Sequence, residues 1–381
     1  MGIKNKSYLS VIGIITTLIL TIIPSSVNAQ DTWVKEYDPF NILHSSSEMY
    51  TISNLLTFDD GYLITGFYEY IDSVTVSGWG FVMSIDTFGE VNWVRQGNLD
   101  TGIKTSIVTS DGEILCSGWE RFTENRYLLK RDSQGNFQWM KPHIDFCPYT
   151  IANTKDGSVI LGGKSLDFQT IVIKKLNKTA DLLWDKEISF NENSEVNLLS
   201  SMTTSDEQYV FCGWVDIHGD SNKNTFIISL DPDGNALWTR TNKTFAGEDR
   251  GVALTQNSTG NILVVGTAKN QDKRLGLFWL LDSKGVTIKF KIEGGRYARA
   301  CGTVVALPNG EFMCGSPNIM KINENFEILW ERDYLCGGGE KKICLTDDGG
   351  FIFPSRYKNS FIITKTDSTG IVHNGNPEIT Q

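Results

Sequence analysis

Half of the ten tryptophans occupy a single position of a repeating cassette. Trp93, Trp139, Trp184, Trp238 and Trp330 each stand seven residues after an Asp or Asn: Asp86, Asp132, Asn177, Asp231 and Asn323. The fourth residue of each unit is Gly89, Gly135, Ala180, Gly234 or Phe326, and two residues after each Trp comes a base: Arg95, Lys141, Lys186, Arg240 or Arg332. A fifth cassette keeps Asp282, Gly285 and Lys291 but carries Lys289 at the Trp position, and a seventh keeps Asp367 and Gly370 but carries Asn374 there. A second turn precedes each of these: Asp60-Gly61, Asp111-Gly112, Asp156-Gly157, the degenerate Asp206-Glu207-Gln208, Thr259-Gly260, Asn309-Gly310 and Asp348-Gly349. Seven copies of one unit impose a repeat architecture on nearly the whole chain.

Between the turns lie short runs such as Tyr62-Leu63-Ile64-Thr65-Gly66 and Phe361-Ile362-Ile363-Thr364, rich in β-branched and aromatic residues. They read as strands. The Asp-Gly and Asn-Gly pairs supply the positive φ that a two-residue hairpin demands. Outside the N-terminal leader no window shows a sustained helical period with caps. Four strands per cassette, repeated seven times, predict an all-β, seven-bladed β-propeller with four-stranded antiparallel blades. The blades fall near 48–97, 101–143, 149–190, 195–242, 249–292, 298–335 and 340–374. An open solenoid would need polar caps at both ends, whereas here Trp33-Val34-Lys35 copies the Trp-x-base strand that the seventh cassette lacks. The N-terminal strand is therefore expected to close the last blade and remove the open sheet edge.

The cassette resembles the tryptophan-docking repeat of quinoprotein (PQQ) dehydrogenases and of PQQ-like propellers that bind no cofactor. The resemblance covers nearly all of the chain after residue 29, although the Asp-to-Gly turn is one residue shorter than in that family. It implies that each indole packs between neighbouring blades and that each turn carboxylate caps backbone N–H groups. The family's cofactor chemistry does not carry over, because quinoprotein enzymes pair adjacent cysteines beside the quinone and no two of Cys116, Cys147, Cys212, Cys301, Cys314, Cys336 and Cys344 are adjacent. No cofactor is expected. A sialidase-type Asp-box at Ser84-Ile85-Asp86 is disfavoured by its wider spacing.

Lys4 and Lys6 precede an apolar run from Val11 to Ile23, and Val27-Asn28-Ala29 follows Pro24. This is the pattern of a secretory signal peptide over 1–29, and the run is shorter than the roughly 20 residues a bilayer-spanning helix needs. A propeller over 30–376 and a short tail over 377–381 complete the expected organisation, in a monomeric protein that is secreted or periplasmic with no membrane segment after cleavage. Without the leader, 33 basic residues (35 less Lys4 and Lys6) face 45 acidic ones, a formal charge of −12. No basic clustering suited to a nucleic acid is present. Cys116, Cys212 and Cys314 sit inside apolar runs as buried thiols, and Cys336 with Cys344 is the first pair to test for a bridge.

The four histidines are isolated, and neither HExxH nor GxSxG occurs, so no catalytic residue or metal ligand is assigned. The repeat aspartates read as turn-forming Asx residues, with Asp231-Pro232-Asp233-Gly234-Asn235 the nearest approach to a calcium loop. Trp119 and Trp214, equivalent in their cassettes, read as blade packing. Candidate ligand residues are those leading into the innermost strands, which crowd one channel mouth: Arg250, Arg296, Arg299, Lys341 and Lys342 with Glu340, together with Glu48, Lys104, Tyr149, Glu195 and Asp249. A basic sector on an otherwise acidic protein would capture anionic ligands. The expected function is a binding or assembly scaffold for a protein or an anionic or glycan ligand at that mouth. The alternative is a carbohydrate-active hydrolase or lyase, or a quinone-dependent oxidoreductase.

Overall fold

In the computed structural model, residues 31–373 are described, apart from 41–47, 72–75, 100, 122, 124, 144, 192–193, 217–222, 243–247, 272, 296–299, 335–341 and 358. Residues 1–30, which include the expected signal peptide, the residues after 373 and Cys336 lie outside the described residues.

Seven four-stranded antiparallel sheets follow one another along the chain, over 48–99, 101–143, 146–189, 195–242, 249–293, 300–332 and 344–366. In the first six, strand order equals sequence order. The seventh is completed by Trp33–Tyr37, which pairs antiparallel with Ser360–Thr366 in the register Trp33↔Lys365 to Tyr37↔Phe361. The protein is a seven-bladed β-propeller closed by its N-terminal strand. Among the described residues no helix is long and apolar enough to cross a membrane.

The antiparallel order divides the connections between two faces. Turns from first to second and from third to fourth strands lie on one face; the remaining loops and the blade-to-blade connections lie on the other, the channel-mouth face. All turns of the first face but one share a design. The first residue's N–H bonds the carbonyl four residues on, the fourth residue's N–H returns to the first residue's carbonyl, and the fourth residue takes positive φ. This is a three-residue hairpin loop ending in a left-handed residue. The two-residue hairpin expected from the Asp-Gly pairs occurs only in blade 1, where Phe58 pairs with Gly61 across Asp59-Asp60. In blades 2, 3, 4, 5 and 7 a Thr or Asn two residues ahead of the Asp-Gly position caps the longer turn, as Thr109 Oγ1 does by bonding Asp111 and the carbonyl of Glu113; blade 6 makes the same turn with Leu307 there.

In the other turn type, Oδ1 of Asp86 accepts the N–H groups of Phe88 and Glu90, and Asp132, Asn177, Asp231, Asp282, Asn323 and Asp367 repeat the arrangement. Their side chains stabilise the turn itself. The next blade's turn is the platform on which each tryptophan rests. A Cβ on Gly285 of blade 5 would lie 2.5 Å from the Trp238 ring of blade 4, and the indole Nε1 donates to the Ser283 carbonyl at 3.1 Å. Trp33 bonds Thr87 of blade 1 in the same way at 3.0 Å, and Trp184 bonds Pro232 of blade 4 at 3.1 Å. The trailing bases reach the same platform: Arg95 donates to Gln134 O at 3.0 Å and Arg240 to Gly285 O at 2.7 Å. Each also covers its own indole, Arg95 with Trp93 at 5.3 Å, Lys141 with Trp139 at 5.4 Å and Arg332 with Trp330 at 5.6 Å.

Blades 5 and 6 reverse this contact. Where the outgoing residue is Lys289 rather than Trp, the receiving turn carries Phe326 rather than Gly, at φ 60° and fully buried. The ring enters the core between the blades, 5.6 Å from Phe278. Lys289 lies 5.5 Å over its face and donates to the Asn325 carbonyl at 2.8 Å. The aromatic group has moved from one side of the joint to the other.

Candidate functional site

About midway along, the inner strands of blades 1 to 5 each carry a bulge, at Ser53, Lys104, Tyr149, Leu199 and Val252. A bulge leaves one residue outside the ladder and re-aims its side chain. In blades 2 and 3 the residues so placed are Lys104 and Tyr149. Lys104 Nζ lies 5.1 Å from the centre of the Tyr149 ring, and Lys164, from the neighbouring strand Val159–Ser165, lies 5.5 Å from the same ring. Lys164 is also 3.9 Å from the ring of Phe168, which stands 44% exposed in a turn at φ 64°. Two ammonium groups and two aromatic rings thus form one cluster across blades 2 and 3.

Burial lowers the pKa of Lys164, and the like charge of Lys104 adds to this, while Glu195 and Cys147 act in the opposite sense. Burial raises the pKa of Tyr149, helped by Cys147 and opposed by Arg126. The phenol is therefore kept neutral, as a hydrogen-bonding group. Cation–π contact holds the lysines over the rings and keeps them close together despite their repulsion.

A second basic and aromatic group spans blades 4 and 5. The nearly buried Trp214 is flanked by Lys223 at 4.5 Å and Arg250 at 5.6 Å. Here a carboxylate is supplied. Glu248 forms an ion pair with Arg250 and lies 3.9 Å from Lys223. Burial tends to raise the Glu248 pKa, but Arg250, Lys223 and Lys269 outweigh it, so the net shift is downward. Arg250, a candidate ligand residue, is thus engaged within the protein. Lys342 is half-buried at the approach to the seventh blade, and no interaction joins it to Arg250 among the described residues. Arg296, Arg299, Glu340 and Lys341 lie outside the described residues. The lysine cluster rests on Lys104 and Tyr149 from the candidate set, and Lys164 and Phe168 are additions that the sequence does not single out. Lys164 arrives by strand register, opposite Cys147.

Cys116, Cys147, Cys212, Cys314 and Cys344 are free thiols. Cys344 donates to the Leu55 carbonyl at 2.8 Å, linking the seventh blade to the first. Among the described residues no group of three His, Cys, Asp or Glu side chains is arranged to hold a metal ion.

No protein-family model and no curated protein sequence matches the chain. Solved structures do. The Dos1 propeller is similar at a TM-score of 0.57 and 11% identity, covering 88% of this chain and 97% of that one. The polysaccharide lyase Uly1 is similar at 0.56 and 9% identity, covering 84% and 90%. Drosophila Plexin A, in its complex with Semaphorin 1b, is similar at 0.53 and 8% identity, covering 84% and 86%. At such identities the likeness is one of fold, and the fold is the β-propeller.

Proposed function

We propose that the protein is an exported binding module whose channel-mouth face takes an anionic, polyhydroxylated ligand, with the Lys104, Tyr149, Lys164 and Phe168 cluster as its contact. The leader over 1–29 supports export. The observation that carries the ligand class is the convergence of two ammonium groups on one tyrosine ring, 5.1 and 5.5 Å from its centre. Sugar rings stack on aromatic faces while carboxylate or sulfate substituents meet the lysines. The tryptophan-docking resemblance supports a structural role for the repeat and adds no quinone chemistry. That one similar structure is a polysaccharide lyase agrees with a glycan ligand, and it keeps a lyase or hydrolase as the second reading.

Isothermal titration with an oligogalacturonate, a sulfated oligosaccharide and a neutral oligosaccharide of equal length tests this. The acidic chains should bind, more weakly as salt rises, and the double substitution Lys104→Ala with Lys164→Ala should reduce affinity by about tenfold or more, ~1.4 kcal/mol. Equal binding of the neutral chain, or an indifferent double variant, would remove the cluster from consideration. Chromatography of the same mixtures after incubation separates binding from cleavage, since shortened or unsaturated products would favour the enzyme reading.

A further inference from the structure

The residue just before each third-to-fourth-strand turn is Ile85, Leu176, Leu230, Leu281 and Ile322 in five blades and Thr366 in the seventh, all nearly or fully buried. In blade 2 it is Arg131, only 6% exposed. A charge thus occupies a core position of the repeat. Burying a charge is costly unless it is paired, and no carboxylate of the described residues forms an ion pair with it. One Nη donates to the Gly135 carbonyl at 2.8 Å and the other to the Gln96 carbonyl at 3.3 Å, while Nε is buried without an acceptor.

Arg131 lines a cavity of about 190 Å³ between the outer part of blade 1 and the facing side of blade 2. Val82, Ile103 and Leu129 supply apolar wall, and Phe137 and Met140, 61% and 38% exposed, stand among its lining residues. Two other hydroxyls of the lining are already committed: Thr101 donates to Asn98 O at 2.6 Å and Tyr127 to Gly102 O at 2.9 Å. Arginine carries five N–H donors; here two neutral carbonyls take one bond each, Nε has no acceptor, and Asp132 acts on the charge without forming an ion pair. The cavity therefore combines one cation that lacks an ion-pair partner with apolar walls and an apolar lip, a pairing that suits a guest with one negative end and a compact hydrocarbon body.

We propose that this inter-blade cavity is a binding site for a small monocarboxylate, its carboxylate against Arg131 and its apolar body between Val82, Ile103 and Leu129 beneath Phe137 and Met140. The site is separate from the lysine cluster and does not depend on it. The planar guanidinium fork matches a carboxylate, which restores the countercharge that the repeat position lacks. Burial, reinforced by the like charge of Arg95 and opposed by Cys116, Tyr127 and Asp132, lowers the Arg131 pKa, a shift that a bound carboxylate would oppose.

The test uses the protein without its leader, in a buffer free of carboxylates and low in chloride, with benzoate, acetate, benzamide and cyclohexanol as probes. Ligand-observed NMR and thermal melting are the readouts. Benzoate should bind and raise the melting temperature, acetate should act more weakly for want of a body, and benzamide and cyclohexanol should have no effect. Arg131→Leu, which restores the residue of blades 3 to 5, should still fold and should lose benzoate affinity at least tenfold. Phe137→Ser should weaken benzoate while leaving the charge in place. Benzoate failing to bind, benzamide binding as well as benzoate, or Arg131→Leu keeping the benzoate response would each overturn the proposal. If Arg131→Leu does not fold, the comparison of benzoate with benzamide and the Phe137→Ser variant still decide it.

Discussion

Glycines with one backbone geometry but different neighbours separate the cost of the turn from that of the joint. Gly112 and Gly285 have φ of 79° and 74°, but a Cβ at Gly112 meets nothing within 4 Å whereas one at Gly285 meets Trp238 at 2.5 Å. Gly112→Ala should therefore cost only the left-handed backbone penalty, about 1 kcal/mol. Gly285→Ala adds the displacement of the indole and should cost about 3 kcal/mol in all, read by thermal melting at about 2 °C per kcal/mol for a chain of this size. Equal losses would mean that the indole is not seated on the turn. The Asp, Gly and Trp of this joint were legible because each is chemically distinctive and recurs at fixed spacing. Arg131 was not, although Ile85, Leu176, Leu230, Leu281 and Ile322 form the apolar column that it breaks. It stands next to the turn aspartate that draws the eye, and neither its burial nor the cavity beside it can be read from a string of residues. The clustering of Lys164 with Tyr149 was hidden for another reason, since it depends on which residues a strand register sets opposite one another.

Strands carry the closure of the ring. Trp33 and Tyr37 of the closing strand are 7% and 6% exposed, and Tyr37 donates to the Gly89 carbonyl at 2.7 Å in blade 1. Deleting 31–37 should cost several kcal/mol, at about 25 cal/mol per Å² of apolar surface returned to water, whereas deleting 377–381 should leave melting unchanged. Similar melts for the two truncations would contradict closure by this strand. The strand was predictable because Trp33-Val34-Lys35 repeats the Trp-x-base pattern missing from the last cassette. The two-residue hairpins were not, because the Asp-Gly pair looks the same in a two-residue and a three-residue loop. In five blades a Thr or Asn two positions earlier caps the longer turn, but Leu307 stands there in blade 6, so no one residue type marks the loop length. Lys289 and Phe326 read in sequence as two separate lapses from the repeat, and only the contact between neighbouring blades shows them as one exchange. Phe326→Gly alone should cost about 3 to 5 kcal/mol through the cavity it leaves. Adding Lys289→Trp should restore a large part of that loss, with a coupling of about 1 to 3 kcal/mol in a double-mutant cycle. Strict additivity would show that the two positions do not exchange one aromatic group.

For the whole molecule, stability should depend on pH mainly at the two ends of the scale. Asp156, Asp348 and Asp367 are buried enough for desolvation to raise their pKa, but hydrogen bonds and, for the first two, lysine partners carry the net shift downward. A depressed folded-state pKa contributes stability above the unfolded value, about 4 for these groups, and that contribution is lost as pH falls through the folded value. At the alkaline end, burial pushes the Cys116 and Cys344 thiols up to about 12 and raises Tyr37 and Tyr127 as well. Here stability is full below the unfolded pKa values, about 8.5 for Cys and 10 for Tyr, and declines above them. Melting temperature against pH should form a plateau between roughly 4.5 and 8.5, and a single sharp optimum inside that window would contradict this assignment. Thiol reagents should label Cys116 and Cys212 only on unfolding, and fast labelling of the native protein would count against their burial. Circular order follows from one joint. Six of the seven joints pass an indole forward onto a small residue, while the fifth blade offers an ammonium to a neighbour that brings its own ring. Exchange any blade across that seam and two rings would meet where one fits, or none where one is needed. The chain therefore contains, in a single inverted contact, a check against the miswired rings that seven near-identical modules would otherwise allow.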